Sequence, residues 1–128
     1  MPSRKIEDCV ELLQWAWVDA SHTYAVFYPD APQPFLTCTH RTEAEQLELY
    51  AQGRTKPGPK VTQLKKGSKH NAYPSKAFDI AFKNKEGKLD WAPKLFKAFA
   101  DIVAKQHPSV EWGGNWSKFK DLPHFQVS

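Results

Sequence analysis

Ala77-Phe78-Asp79-Ile80-Ala81-Phe82 is the stretch that decides the fold. Phe78, Ile80 and Phe82 alternate with small or charged residues, which is the two-residue period of a β-strand. One face of the predicted strand is therefore apolar, while Asp79 lies on the opposite face. A carboxylate beside a core strand is costly unless it is paired or bound to a cation. The stretch predicts a strand with a core on one side and a polar site on the other.

A second strand with the same division is predicted from His124 to Val127. Phe125 and Val127 are expected to face inward, whereas His124 faces the other side together with Gln126.

His70 lies upstream of Asp79 and completes a set of two imidazoles and one carboxylate with His124. Such a mixed nitrogen and oxygen set suits zinc, and three protein ligands leave one position for water, as in catalytic sites. The residues alone leave an alternative open, because any chain with five histidines offers several such triples. In that alternative the histidines are ordinary polar residues and Asp79 pairs with a lysine.

The rest of the chain predicts helices and loops in irregular order, which favours an α+β domain. Residues 5–20 carry an apolar helical stripe, and residues 35–39 form a short strand. Thr42 and Glu45 form a capping box that opens a helix to Tyr50. Asp90 is expected to cap a helix over about 91–106. The loop over 53–67 is rich in glycine and proline and long enough to be functional.

Composition predicts one domain spanning 1–128, with a net charge of +4 and a pI near 9.1 that favour anionic partners. No apolar stretch approaches the roughly 20 residues of a membrane span. Residues 1–14 are charged and lack the apolar core of a signal peptide, so we expect synthesis in the cytoplasm without export by the chain's own sequence. Cys9 and Cys38 are expected to be buried, reduced thiols.

Two pairs of segments together resemble a zinc peptidase signature. Ser68-Lys69-His70 followed by Ala77-Phe78-Asp79-Ile80 resembles its first half, and Trp112-Gly113-Gly114-Asn115-Trp116 followed by Asp121-Leu122-Pro123-His124-Phe125 resembles its second half. The family includes D-alanyl-D-alanine carboxypeptidases, vancomycin-resistance dipeptidases and phage L-alanyl-D-glutamate endopeptidases. The resemblance covers roughly residues 35–127 and also takes in residues 39–42, Gln46, Leu49-Tyr50 and residues 52–55.

The resemblance implies a hedgehog/DD-peptidase-like α+β fold, in which a short antiparallel sheet packs against helices and a zinc site lies in an open cleft. It implies that Zn2+ is held by His70, Asp79 and His124. Zinc lowers the pKa of a bound water to about 7, which makes hydroxide available at neutral pH.

The resemblance also implies roles for residues that surround the metal. Asp121 matches the general base, and it must lie in the turn before the last strand to reach the site. Arg41 matches an arginine that steadies the oxyanion or a substrate carboxylate, and Ser68 matches a substrate-contacting serine. Asp rather than Glu at position 121 is more like the endopeptidase branch.

Two further features beside the predicted site have open interpretations. Trp112 and Trp116 either wall the substrate groove or pack in the core, and both roles can hold together. A basic stretch near the site either is a solvated loop or attracts the carboxylate-rich peptide stems of the cell wall. Its members are Lys65, Lys66, Lys69 and Lys76.

These features predict a zinc metallopeptidase of the phage endolysin branch that cuts peptidoglycan stem peptides between L-Ala and D-Glu. We expect a monomer without nucleic-acid partners or stable membrane insertion, made in the host bacterial cytoplasm and acting on the wall in the periplasm. The alternatives are a D-alanyl-D-alanine carboxypeptidase, a non-catalytic binding domain that keeps the fold, and a basic nucleic-acid-binding protein.

Overall fold

The computed structural model describes residues 2–60, 62, 64 and 67–128. It has the predicted α+β architecture, in which a four-stranded antiparallel sheet of order β1-β2-β4-β3 packs against helices. The helices are α1 (Glu11–Phe27), α2 (Glu43–Ala51) and α3 (Pro93–Gln106); the strands are β1 (Gln33–Cys38), β2 (Ala77–Lys83), β3 (Glu111–Trp112) and β4 (His124–Gln126). Short 3-10 turns occur at Ile6–Asp8, Lys69–Asn71 and Gly113–Asn115.

The two strands predicted to divide core from site lie side by side in the centre of the sheet. β2 pairs with β4 so that Phe78 lies opposite Phe125 and Asp79 lies opposite His124. The Phe78 and Phe125 rings stack with their centroids 5.4 Å apart, and both side chains are fully buried. The predicted alternation of apolar and polar faces is confirmed in both strands.

Helices α1 and α3 cover the apolar face of the sheet. Tyr24 of α1 contacts the ring of Phe82 at 5.6 Å between centroids, and Phe99 of α3 contacts Phe125 at 5.4 Å. Full burial of a phenylalanine side chain is worth about 1.5–3 kcal/mol, so this aromatic layer holds the sheet and helices together. The opposite face of β2 and β4 is left for polar side chains.

The first predicted helix begins later than expected and is longer, because the backbone before it bonds elsewhere. Ser75 donates its N–H to Asp8 O at 2.7 Å, and Val10 donates to Ser75 O at 2.9 Å. These bonds hold residues 8–10 in a bridge to Ser75, so α1 starts only at Glu11.

The predicted cap of α3 is also displaced. The N-cap is Ala92, and Pro93 occupies the first helical position, where its missing N–H costs nothing and its φ is already suitable. Asp90 Oδ1 instead accepts a hydrogen bond from Ala92 N at 3.0 Å, which closes the turn before the helix.

The capping box of α2 is confirmed. Thr42 Oγ1 accepts from Glu45 N at 3.1 Å, and Glu45 Oε1 accepts from Thr42 N at 2.8 Å. The helix ends at Ala51, where the loop predicted over 53–67 begins. Part of that loop and part of the predicted basic stretch lie outside the described residues, namely Val61, Gln63, Lys65 and Lys66.

Cys9 and Cys38 are buried free thiols, as predicted. Burial raises the pKa of the Cys9 thiol to about 12. Within the described ranges, none of the helices has the length and apolar character needed to cross a bilayer.

Candidate metal centre and active site

His70, Asp79 and His124 meet on the polar face of the sheet. Asp79 Oδ1 lies 3.1 Å from His70 Nε2 and 3.0 Å from His124 Nδ1. β2 and β4 deliver two of these groups because Asp79 and His124 are direct cross-strand partners. The third arrives on the 3-10 turn, where Ser68 Oγ accepts a hydrogen bond from His70 N at 3.2 Å.

Each imidazole uses its other nitrogen to donate a hydrogen bond to a fixed acceptor. His70 Nδ1 donates to Thr39 O at 2.7 Å, and His124 Nε2 donates to Gln126 Oε1 at 2.8 Å. These bonds fix the tautomer of each ring, as the outer partners of metal-binding histidines commonly do. The remaining nitrogens, one from each ring, therefore turn unshared electron pairs toward the same carboxylate oxygen.

His70 Nε2, His124 Nδ1 and Asp79 Oδ1 would repel one another at these distances if each kept a free electron pair. A cation must therefore lie between them, either a proton or a metal ion. Tetrahedral zinc with bonds of about 2.0–2.1 Å to nitrogen and oxygen places its ligand atoms about 3.3 Å apart. The distances from Asp79 Oδ1 to His70 Nε2 and to His124 Nδ1 are close to this value. The donor set of two imidazoles and one carboxylate also suits zinc. His70, Asp79 and His124 therefore fit the metal that the family implies.

The pKa values of this cluster show the same demand for positive charge. Burial alone would lower the pKa of His70, but the Asp79 carboxylate outweighs it and raises that pKa well above its usual range. Burial has the opposite effect on a carboxyl group and would raise the pKa of Asp79, but the two imidazoles hold that pKa far below its usual range. A bound cation would take the place of the proton that the cluster otherwise holds.

Cys38 is an additional group with metal-binding chemistry at this centre. One ligand atom from each of Cys38, His70 and Asp79 lies within 4.8 Å of the others. However, Cys38 Sγ accepts from Arg41 Nη2 at 3.4 Å and lies 3.7 Å from His70 Nδ1, the nitrogen already bonded to Thr39 O. Among the described residues, this mutual proximity takes in Cys38 and not His124. Arg41 and His70 nevertheless direct N–H groups at Cys38 Sγ, whereas His124 Nδ1 lies 3.0 Å from Asp79 Oδ1, so His124 is the candidate third ligand.

Arg41 is buried beside the cluster and held by a glutamine. Its Nη1 donates to Gln46 Oε1 at 2.7 Å, and its Nη2 lies 4.0 Å from Asp79 Oδ2. Gln46 is fully buried and also donates from Nε2 to Leu64 O at 2.7 Å. The guanidinium cannot lose its proton, so it is a fixed positive charge at the edge of the site.

Asp121 lies in the turn that precedes β4, the position that its predicted role requires. Its carbonyl accepts from His124 N at 3.1 Å, and its N–H donates to Gly113 O at 3.1 Å. Burial, reinforced by the nearby Asp79 carboxylate, raises the pKa of Asp121. A carboxyl group with a raised pKa is a better proton acceptor and donor near neutral pH than an exposed one.

Gly113 permits this position of Asp121. A Cβ atom on Gly113 would lie 2.4 Å from the Asp121 carbonyl oxygen, which is closer than any side chain can approach. The glycine is therefore required by the close approach of the two backbones.

Most of the predicted site residues line one cavity of about 690 Å³. They are Arg41, Ser68, His70, Asp79, Asp121 and His124. A second cavity of about 570 Å³ meets the first at Arg41 and Asp79 and continues along α2, where Glu45 and Glu48 line it.

Trp112, which was predicted to contact substrate, lies elsewhere. It is only 9% exposed, stacks against Phe125 and donates from Nε1 to Leu122 O at 2.7 Å. The period-two alternation of β3 turns its ring into the core, which corrects the expectation of a groove wall. Trp116 lines the cavity instead, with its ring centroid 5.4 Å from that of His124.

The sequence assigned no role at the site to Cys38, and it placed Gln46 within the family resemblance without giving it a role. Cys38 lies opposite Asp79 only because β1 carries an irregularity between Leu36 and Cys38, and no residue pattern indicates that shift. Gln46 could have been found, because it lies one helical turn after the predicted N-cap Thr42 and close in sequence to Arg41.

Comparisons with known proteins identify the family to which the chain belongs. Residues 62–127 match a family model described as D-alanyl-D-alanine carboxypeptidase, of the M15 peptidases. The chain is 35% identical over 94 residues to the peptidoglycan L-alanyl-D-glutamate endopeptidase CwlK of Bacillus subtilis (strain 168), covering 68% of this chain and 56% of that protein. The chain thus spans little more than half the length of this curated relative.

The fold is also similar to a solved structure. The crystal structure of the Serratia marcescens L-Ala D-Glu endopeptidase ChiX aligns with a TM-score of 0.65 and 24% identity, covering 100% of this chain and 89% of that one. This similarity shows the fold, and the family match extends over 62–127, which includes all three candidate metal ligands. The chain therefore belongs to the D-alanyl-D-alanine carboxypeptidase family of M15 peptidases.

Proposed function

We propose that this chain is a zinc-dependent peptidase that hydrolyses the L-Ala–D-Glu bond of peptidoglycan stem peptides. The observation that carries the proposal is the meeting of His70, Asp79 and His124 around one carboxylate oxygen, with Asp121 in the same cavity. Buried imidazoles beside a carboxylate, with strongly shifted pKa values of His70 and Asp79 and a cavity of about 690 Å³, are typical of a functional site.

The chain's own residues provide the acid–base and electrostatic parts of the reaction. When bound, zinc supplies Lewis acidity and lowers the pKa of water. The Asp121 carboxylate accepts the proton of the attacking water and passes it to the leaving amine. Arg41, held by Gln46, offers a fixed positive charge to the carbonyl oxygen of the cut bond as negative charge develops there.

The choice of the L-Ala–D-Glu bond is supported by two observations. The curated relative that resembles this chain is an L-alanyl-D-glutamate endopeptidase. Position 121 carries Asp, which resembles the endopeptidase branch of the family.

A D-alanyl-D-alanine carboxypeptidase is the second candidate, because the matching family model carries that description. The two activities differ in product. The endopeptidase releases peptides with a new D-Glu amine, whereas the carboxypeptidase releases free D-Ala.

Digestion of purified sacculi with mass mapping of the released fragments tests both candidates. We expect a new D-Glu amine with the wild-type chain, none after chelation, and recovery when zinc is added back. The matched control is Asp121→Asn, which keeps the shape of the side chain and should retain zinc while losing turnover. Free D-Ala alone would replace the proposal with the second candidate, and no product at all would favour a non-catalytic binding domain.

We further propose a biological setting, a lysis enzyme of the phage endolysin branch. In this setting the chain acts as a monomeric, single catalytic domain that is made in the host cytoplasm and reaches the wall in the periplasm. The support is the resemblance of residues 35–127 to that branch. Expression in a Gram-negative host should lyse the culture only when a membrane-permeabilising protein is co-expressed, and sedimentation should give a mass near 14.6 kDa. Lysis without permeabilisation, or a dimer mass, would contradict the setting.

A further inference from the structure

The loop from Trp116 to Asp121, called here the 116–121 loop, is fixed at both ends and projects between them. Trp116 N and Asp121 N both donate to Gly113 O, at 3.3 and 3.1 Å. Lys118, Phe119 and Lys120 form the tip, and all three line the larger cavity together with Asp121 and His124. The tip is thus positioned beside the site by Trp116 and Asp121, which line the same cavity.

Phe119 at the centre of this tip is unusual in its exposure to solvent and in its backbone conformation. Its side chain is 74% exposed, and its backbone lies in the left-handed region at φ 51°. That region is rarely occupied by bulky residues, and the cost of about 1–3 kcal/mol is tolerated mainly at ligand clamps and active sites. An apolar ring that gains no burial and adopts a strained backbone, in the wall of this cavity, indicates contact with a ligand.

Charge divides the two cavities that meet at Arg41 and Asp79. Among the residues that the structure describes, the larger cavity is lined by four lysines, whereas the smaller one is lined by Glu45 and Glu48 with Lys56 as its one lysine. The four are Lys60, Lys69, Lys118 and Lys120. These lysines outnumber the carboxylates of Asp79 and Asp121 that also line the larger cavity. A cleft with an excess of one sign of charge attracts and orients ligands of the opposite sign, so a peptide that crosses the site should place its anionic part in the larger cavity.

The position of Asp121 indicates which part of the substrate lies there. Because Asp121 is proposed to protonate the leaving amine, that amine must approach the end of the 116–121 loop. In a stem peptide cut after L-Ala, the carboxylates of D-Glu and of the following residues all lie on the leaving-amine side. The lysines at the tip therefore face the carboxylate-rich part of the peptide.

We propose that the 116–121 loop is the specificity element for the leaving-group side, an inference that rests on the proposed function. Lys118 and Lys120 bind the carboxylate of D-Glu, the residue that follows the cut bond, and Phe119 packs against the apolar part of the stem peptide. The stem peptide, rather than the sugar strand, is the occupant of this cavity.

The first experiment compares charge reversal at the tip with charge reversal elsewhere. The double variant Lys118→Glu/Lys120→Glu is measured beside Lys88→Glu/Lys94→Glu, two exposed lysines outside both cavities that give the same change in net charge. The substrates are L-Ala-γ-D-Glu-meso-diaminopimelate and its D-isoglutamine counterpart, which lacks the D-Glu carboxylate. With the first substrate, kcat/KM should fall about tenfold in the tip variant through KM, while the control stays near wild type. The loss should be smaller with the isoglutamine peptide.

The second experiment separates the ring of Phe119 from its backbone. Phe119→Gly removes the ring and relieves the left-handed strain, whereas Phe119→Ala removes the ring and keeps the strain. Both variants should raise KM to a similar extent, and the glycine variant should be the more stable of the two. A wild-type KM in both variants would show that the ring makes no contact.

The outcomes distinguish the inference from the proposed function. Equal losses in the tip variant and the control, or the same loss on both substrates, would overturn the role of the loop while cleavage stands. If the wild-type chain cleaves neither peptide, the proposed function fails. In that event, γ-D-Glu-meso-diaminopimelate is titrated into the wild-type chain and into the tip variant. Binding by the wild type that is lost in the tip variant supports the role of the loop. Equal affinity in both proteins, or no binding by the wild type, overturns it.

Discussion

The two faces of strands β2 and β4 have different roles, although alternating side chains of the same two strands form both. On one face Phe78 and Phe125 stack beneath the helices and stabilise the fold. On the other, Asp79 and His124 form the candidate metal centre. Because neighbouring side chains point to opposite faces, adjacent residues of either strand alternate between the hydrophobic core and the candidate site. Substitutions on the two faces should therefore be separable by measuring folding and metal binding on the same variants.

The largest effect is expected on the polar face. His124→Ala should abolish zinc binding and turnover while the circular dichroism spectrum of the metal-free protein remains that of wild type, because the removed ring contributes a ligand and not the core. Metal analysis and a wall-digestion assay check this.

Gln126→Leu is the matched partner of that variant, because Gln126 orients the same ring from outside. We expect a loss of about 10–100-fold in zinc affinity or activity and not its abolition. Full zinc binding by His124→Ala would remove this histidine from the site.

The next effect is expected on the apolar face. Phe78→Ala should lower the free energy of unfolding by about 3–5 kcal/mol, because it leaves a cavity between the sheet, Trp17 and Phe125. Urea denaturation measures this, with Phe119→Ala as a control that removes the same side chain from an exposed position. A similar loss of stability in the two variants would contradict the division between the faces.

A smaller effect is expected at Gly113, where the close approach of two backbone segments positions the Asp121 carboxylate. Gly113→Ala should displace the Asp121 carbonyl, since a Cβ would lie 2.4 Å from it, and kcat should fall about 100-fold if the carboxylate moves by roughly 1 Å. Zinc content should stay at the wild-type level, because His70, Asp79 and His124 are untouched. Wild-type kcat in this variant would show that Asp121 needs no such exact placement.

How far the sequence predicts this molecule depends on how local each signal is. The alternation in 77–82 and the Thr42–Glu45 capping box are local patterns, and both are found as predicted. The start of α1 and the place of Cys38 depend on bonds between distant segments, with Ser75 and across an irregular strand pair. No periodicity contains that information.

The candidate site divides in the same way. Asp79 and His124 could be placed from strand alternation, and His70 could be named as a third donor. The choice of His70 among five histidines, and the roles of Arg41 and Asp121, required the resemblance to a family because each of these residues lies in a turn or loop. Trp112 shows the limit of such reasoning. A tryptophan beside glycines suits a groove wall and a core equally well, and only the pairing of β3 with β4 turns the ring inward.

The smallest effect is expected at the cap of α2, away from both faces. Thr42→Ala should cost about 1 kcal/mol of stability, because the Glu45 N–H loses its acceptor. The hydrogen bond from Thr42 N lowers the pKa of Glu45 in the folded chain, so its contribution is present above the ordinary value of 4.5 and is lost as pH falls through the folded value. Thermal melts at pH 7 and pH 3 measure this. A difference between Glu45→Gln and wild type that does not shrink at pH 3 would contradict it.

We propose that two imidazoles and one carboxylate hold a single zinc ion. X-ray absorption at the zinc edge of the reconstituted protein tests it directly. We expect one zinc per chain with a shell of nitrogen and oxygen at about 2.0–2.1 Å and no sulfur. A sulfur neighbour at about 2.3 Å would place Cys38 in the site in place of His124, and a chain that retains no zinc would contradict the metal centre altogether.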